Sequence, residues 1–184
     1  DEELSEEKEL VQRAENDMLT GVLNKKTMEK RVSLMLKNRG DKYVIFYMVD
    51  LDNFKNVNDT LGHIYGDQAI VETAQCLNKV FANQDCIGRL GGDEFAVCVS
   101  YQAFDEQGLL EFIGKKAQEI CAGNRRTYTD NVSSVSITSS IGVAYAPDMG
   151  DSFTELYTQA DCALYYSKAN GKDQYHIYSP KDDN

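Results

Sequence analysis

At 184 residues and 42% hydrophobic, the chain is long enough for one domain with a sizeable core and a short appendage, but not comfortably for two. Lys and Arg total 19 against 30 Asp and Glu, a net charge of -11, which argues against sequence-independent binding to nucleic acid or to an anionic membrane. Cys76, Cys86, Cys98, Cys121 and Cys162 are odd in number, with no CxxC pair, and read as reduced core residues of a cytoplasmic protein or of the cytoplasmic part of a longer, membrane-tethered one. No run approaches the roughly 18 apolar residues of a membrane span, and the acidic N-terminus does not read as a secretion signal.

From Asp1 to about Asn16 the chain is charged, with Leu4, Val11 and Met18 spaced by seven and Leu10 and Ala14 alongside. This is the start of a heptad seam, read either as the stub of a signalling helix arriving from an upstream module or as a frayed, solvated helix. Thr20-Gly21 then supplies a turn, and Asn24 is placed to cap a helix through Met28, Val32, Met35 and Leu36 that ends at Gly40-Asp41.

Tyr43 to Asp50, YVIFYMVD, is an almost continuous apolar run, as expected of a central strand covered on both faces. Strand alternation puts Asp50 and Asp52 on one face and Leu51 on the other, so that two carboxylates converge where the sheet ends. Helix capping by Asp52 is the alternative. A short helix is expected over Phe54 to Leu61, broken at Gly62, and a second from near Gly66-Asp67 through Ala69, Ile70, Ala74, Leu77 and Val80.

Two short apolar runs, Cys86 to Leu90 and Phe95 to Ser100, flank Gly91-Gly92 and predict a tight hairpin with Asp93 and Glu94 at its tip. The two glycines leave room for a polyanion against the backbone, and the two acids could hold the metal that it brings. Beyond lies an amphipathic helix, Asp105 to Ala122, with Leu109, Leu110, Ile113, Ala117 and Ile120 as its buried stripe. A polar loop (Gly123 to Asn131), a strand (Val135 to Ala146), a turn (Pro147 to Gly150), a helix (Phe153 to Ala169) and a short strand (Gln174 to Tyr178) complete the chain. The pattern predicts an α+β sandwich, a mainly antiparallel central sheet flanked by helices.

RLGGDEF at Arg89 to Phe95 closely resembles the signature of the GGDEF family, the diguanylate cyclases that condense two GTP molecules into cyclic di-GMP. DMLTGVLNKK at Asp17, VDLDNFKNVNDTLGHIYGD at Val49 and ALYYSKANGKD at Ala163 resemble further motifs of that family in the same order. The resemblance implies a nucleotidyl-cyclase, polymerase-palm-like fold over residues 17–180, with residues 1–16 as a linker or helix stub and 181–184 as a tail. It implies Mg²⁺, with Mn²⁺ as an alternative, held by Asp50, the Leu51 carbonyl and Asp93, with Glu94 as a further ligand or acid-base group. By the same resemblance Asn58 and Asp67 read guanine, His63 lies close by, and Lys55 touches phosphate. Lys168 and Lys172 meet the terminal phosphates, Lys172 standing where an Arg is usual, and Phe54, Gly91 and Gly92 complete the nucleotide-binding set.

The implied partners are GTP, cyclic di-GMP, a second copy of the domain in a catalytic homodimer, and an upstream sensor outside this chain. Ala82 stands where many members carry the Arg of an RxxD inhibitory site, while its Asp is kept as Asp85; Arg125 and Arg126 are candidates for a substitute site. The alternative to a cyclase is a receptor that binds GTP or cyclic di-GMP without turnover.

Overall fold

The computed structural model describes residues 2–183. Its element order is α1 (Glu2–Glu15), β1 (Leu23–Asn24), α2 (Lys25–Lys37), β2 (Tyr43–Asp52), α3 (Phe54–Leu61), α4 (His63–Val80), β3 (Cys86–Gly91), β4 (Glu94–Tyr101), α5 (Glu106–Gly123), β5 (Arg126–Thr129), β6 (Ser134–Ala146), α6 (Phe153–Ala169) and β7 (Gln174–Ile177), followed by a 3-10 turn at Pro180–Asp183. Among the described residues the strands form one sheet in the order β1-β3-β4-β2-β6-β5, with β7 also on β6. It is mainly antiparallel, the β1–β3 and β6–β7 pairs being parallel.

β2 is the centre because its side chains are apolar on both faces. Ile45, Tyr47, Val49 and Leu51 pack with residues of α3, α4 and α5, whereas Val44, Phe46 and Met48 pack with residues of α2 and α6. The alternation that creates this two-sided core also directs Asp50 and Asp52 towards the α6 side, where the sheet runs out. α6 can approach β6 closely because Gly142 has no side chain: a Cβ there would lie 2.0 Å from the Ala160 carbonyl and 2.3 Å from the Leu164 nitrogen. Backbone cannot yield as a flexible side chain can, so Gly142→Ala should destabilise the fold by about 3 kcal/mol. Urea unfolding with an unchanged midpoint would remove this explanation of the close α6–β6 packing.

Several sequence expectations need correction. α4 starts at His63, not near Gly66-Asp67, because Gly62 at φ 95° turns the chain directly out of α3. The stretch expected as a loop contains β5, whose RTYT sequence lacks apolar alternation but pairs with the outer half of β6. Its hydroxyls supply the cross-strand contacts, Thr127 to Ser136 at 2.8 Å and Thr129 to Ser134 at 2.7 Å. Leu110 is 37% exposed and lies outside the buried stripe of α5, while Cys76 and Cys162 are only partly buried. α2 ends at Lys37, before Gly40, with Asn38 as its C-cap. α1 buries no residue; Leu4, Leu10 and Val11 face solvent, and Met18 falls beyond its end. Among the described residues no helix is long and apolar enough to cross a membrane.

Candidate active site

The hairpin tip and the end of β2 meet. Asp50 is paired in register with Glu94 of β4 and Ser140 of β6, and the Leu51 N–H donates to the Asp93 carbonyl at 3.4 Å. That bond ties the Gly92-Asp93 turn to the strand end, where the Asp93 carboxylate bears on Asp50. Burial and the neighbouring Asp93 push Asp50 up to about 6, with Lys168 offsetting part of the rise. Burial, Asp50 and Asp161 also raise Glu94, whose Oε1 accepts a 3.4 Å hydrogen bond from the Tyr157 hydroxyl. The Lys25 ammonium lies 5.8 Å from the Tyr157 ring centre.

Lys168 brings the positive charge. Its Nζ lies 3.2 Å from Asp50 Oδ2 and 3.2 Å from Asp52 Oδ1. Asp52 is 1% exposed; it converges with Asp50 on Lys168, as strand alternation implied, and does not cap α3. Its carboxylate also accepts from the Thr138 hydroxyl at 2.6 Å, the Ser140 hydroxyl at 2.7 Å and the Asp173 N–H at 3.1 Å. With its acceptor sites engaged it is not placed as a metal ligand, and the N-cap of α3 is Asn53, without a side-chain capping bond. Burial alone would raise Asp52, but these bonds and Lys168 more than offset it and hold the carboxyl below its ordinary value.

The other expected residues occupy adjoining ground. Phe54 and Lys55 line an open groove of about 430 Å³ together with Leu51, Asp93 and Lys172. Asn58 is half-buried against α4, where a Cβ on Gly66 would lie 1.8 Å from its Oδ1. His63 and Asp67 are exposed on the first turns of α4 and do not line that groove. Gly91 and Gly92 are exposed at φ 153° and 48°, with nothing within 4 Å of a Cβ at either, so backbone conformation at Gly92 rather than crowding demands glycine.

Two ties were missed at the sequence level. Arg89, the first letter of the signature run, donates to the Gly92 carbonyl at 2.9 Å and reaches Asp17 at 3.2 Å, joining the opening motif to the hairpin. Asp17 in turn accepts from the Thr20 hydroxyl and N–H. The pairing of an acid and an arginine within two separate motifs was the available signal. Of the two arginines considered for a substitute inhibitory site, Arg125 meets Asp173 at 2.9 Å on the surface and Arg126 meets Thr73 at 2.8 Å.

Residues 14–174 match the sequence model of the family described as "Diguanylate cyclase, GGDEF domain". The chain belongs to the GGDEF family. Among curated proteins it is 33% identical over 174 residues to the bifunctional diguanylate cyclase/cyclic di-GMP phosphodiesterase MucR of Pseudomonas aeruginosa, covering 93% of this chain and 24% of that one. It is 30% identical over 168 residues to the cyclic di-GMP phosphodiesterase PdeR of Escherichia coli, covering 91% and 24%. The chain thus spans about a quarter of the length of these relatives. A solved structure of the coiled coil and GGDEF domain of DgcB from Caulobacter crescentus, in complex with c-di-GMP, aligns with TM-score 0.83 at 28% identity, covering 96% of this chain and 92% of that one. One of a Pseudomonas aeruginosa protein, TpbB or YfiN, comprising only its GGDEF domain, gives 0.82 at 29% identity, covering 91% and 96%. The fold is therefore the palm-like nucleotidyl-cyclase fold of GGDEF domains.

GGDEF domains are generally Mg²⁺-dependent. Among the described residues no three acidic, histidine or cysteine side chains form a metal cage by themselves. Two facing carboxylates, Asp50 and Asp93, are instead the donor set that suits Mg²⁺, which is commonly held by one or two carboxylates with substrate phosphates and water completing its shell. Asp93 beside the half-buried Asp50 disfavours a second negative charge there, which a cation between the two would relieve.

Proposed function

We propose that the chain is a diguanylate cyclase domain that joins two GTP molecules into cyclic di-GMP, releasing two pyrophosphates, in a homodimer whose two sites each present one GTP. The observation that carries this reading is the meeting of Asp50, Asp93 and Lys168 at the end of β2. In each of the two steps a ribose 3′-hydroxyl attacks the α-phosphorus of the other nucleotide. A P–O bond forms, the bond to the bridging oxygen of pyrophosphate breaks, and the hydroxyl proton is released. Mg²⁺, when bound by Asp50, Asp93 and the Leu51 carbonyl, would supply charge neutralisation and acidify the attacking hydroxyl.

The protein's own part is placement. Lys168 and Lys172 take the terminal phosphates, Lys55 takes phosphate from the groove floor, and Phe54 lines that groove. The exposed backbone of Gly91 and Gly92 leaves room for the nucleotide, while Asn58 and Asp67, with His63 nearby, read guanine. Glu94, raised by its surroundings and bonded to Tyr157, is a second carboxylate for metal or proton. Incubation with GTP and Mg²⁺ followed by mass spectrometry should yield cyclic di-GMP. Binding of GTP without product would favour the receptor reading, which the phosphodiesterase names of some relatives keep in play.

Gly66 tests the base-reading assignment. Alanine is the better helix former by about 1 kcal/mol, so Gly66→Ala should fold well. Its methyl would displace the Asn58 amide, and GTP affinity should fall roughly tenfold. Unchanged affinity would separate Asn58 from guanine recognition.

Feedback inhibition should be weak. The Ala82 N–H donates to the Asp85 carboxylate at 3.0 Å, and the Asp85 N–H donates to the Ala82 carbonyl at 3.0 Å, so this acid is folded onto its own turn. Arg31 lines the adjoining cleft but faces Glu15 at 3.8 Å. Without two charge-assisted bonds from an arginine, product affinity should be about a hundredfold below that of an RxxD-bearing domain. Submicromolar inhibition by added cyclic di-GMP, abolished by Asp85→Ala, would reverse this conclusion.

A further inference from the structure

We infer that Asp52 is a positioning residue that sets Lys168 and the loop carrying Lys172 for the triphosphate end of the substrate, an inference that rests on the proposed reading of this site. Asp52 Oδ1 accepts from Ser140 at 2.7 Å and Lys168 at 3.2 Å, while Oδ2 accepts from Thr138 at 2.6 Å and the Asp173 N–H at 3.1 Å. One carboxylate thereby joins β2, β6, the end of α6 and the turn after it. Burial makes these bonds consequential, since a 1% exposed carboxylate has no water to replace a lost donor.

The turn needs such an anchor. Lys172 and Asp173 are consecutive non-glycine residues at φ 61° and 48°, a left-handed conformation that side chains disfavour and that persists only where surrounding contacts enforce it. The Lys172 N–H donates to the Ser167 carbonyl at 3.0 Å, the Asp173 N–H is taken by Asp52, and the Asp173 carboxylate is gripped by Arg125 at 2.9 and 3.1 Å. These contacts present Lys172 to the groove that Lys55 and Asp93 also line. Asp52 therefore acts on two lysines at once, through the Lys168 ammonium and through the backbone beneath Lys172.

Asp52→Asn keeps the shape but removes the charge facing Lys168 and turns one acceptor into a donor among donors. The test is calorimetric binding, with Mg²⁺, of a GTP analogue carrying a methylene in place of the α,β-bridging oxygen, beside binding of GMP. The variant should bind the analogue about tenfold more weakly and GMP within about twofold of wild type, because the base-reading residues lie on α3 and α4. Combined with Lys168→Ala, its effect on analogue binding should be clearly less than additive. Parallel losses for the analogue and GMP, no loss for either, or full additivity would overturn the inference alone. A wild-type chain that binds the analogue no more tightly than GMP would take down the reading of the site and this inference with it. If Asp52→Asn does not fold, Thr138→Val with Ser140→Ala removes two donors while leaving the charge in place. The same selective weakening is then expected, and its absence counts equally against the inference.

Discussion

Asp50→Asn should abolish turnover while making the metal-free protein more stable. Asp50 lies among carboxylates, and burial together with Asp93 raises it to about 6 from an unfolded value of 3.8. The folded state thus binds this proton more tightly than the unfolded state does. The resulting stabilisation is present below about pH 4 and is lost as pH rises through about 6. At pH 7.5 with chelator, the neutral amide should raise stability by on the order of 2 kcal/mol, the equivalent of a shift near two units. Activity should move the other way. Product formation from GTP and Mg²⁺ should fall at least about a hundredfold in Asp50→Asn, Asp50→Ala or Asp93→Ala, because each loses a carboxylate that would hold the cation. Wild-type rates at limiting Mg²⁺ should decline as pH drops through 6, since a protonated Asp50 competes with the metal, and added Mg²⁺ should restore them. Near wild-type turnover in these folded variants would end the metal-site assignment.

That pair of acids was legible because its two ingredients are local: an apolar run ending in Asp50, and an Asp one residue past Gly91-Gly92. The meeting of the two depends on the antiparallel β2–β4 register, which pairs Asp50 with Glu94 and which sequence does not specify. α6 was read with its bounds intact, because its apolar spacing is helical and Asn170-Gly171 stops it. β5 was not, because a strand made of Arg, Thr and Tyr is stabilised by its partner rather than by its own pattern. Asp52 is the most instructive case. Alternation placed it correctly beside Asp50, but its hydrogen-bond partners are Thr138, Ser140 and Asp173, more than 80 residues away in the chain. Sequence spacing identifies which face a carboxylate occupies; only tertiary structure shows whether its lone pairs remain available for a ligand.

The same distinction governs base choice, the second large effect expected. Asp67 is exposed on α4 and its carboxylate can accept two adjacent donors, a demand that guanine meets with N1–H and N2–H. Adenine offers a lone pair at N1 and nothing at C2, so an ATP base in this position would set lone pair against lone pair. It would also put an amine where guanine has its carbonyl. Mismatched polar groups in a closed complex cost about 1–3 kcal/mol each, and sites built to hydrogen-bond one substrate reject analogues lacking the matching groups strongly. Preference for GTP over ATP should therefore reach at least about a hundredfold. It should be read as the ratio of dinucleotide products formed from an equimolar mixture, resolved by mass spectrometry. Asp67→Ala should narrow that ratio chiefly by weakening GTP rather than by improving ATP, since removing an acceptor creates no contact for adenine. Comparable yields from the two nucleotides in the wild-type protein would show that Asp67 does not read the base, and that guanine selection, if present, resides elsewhere on the domain.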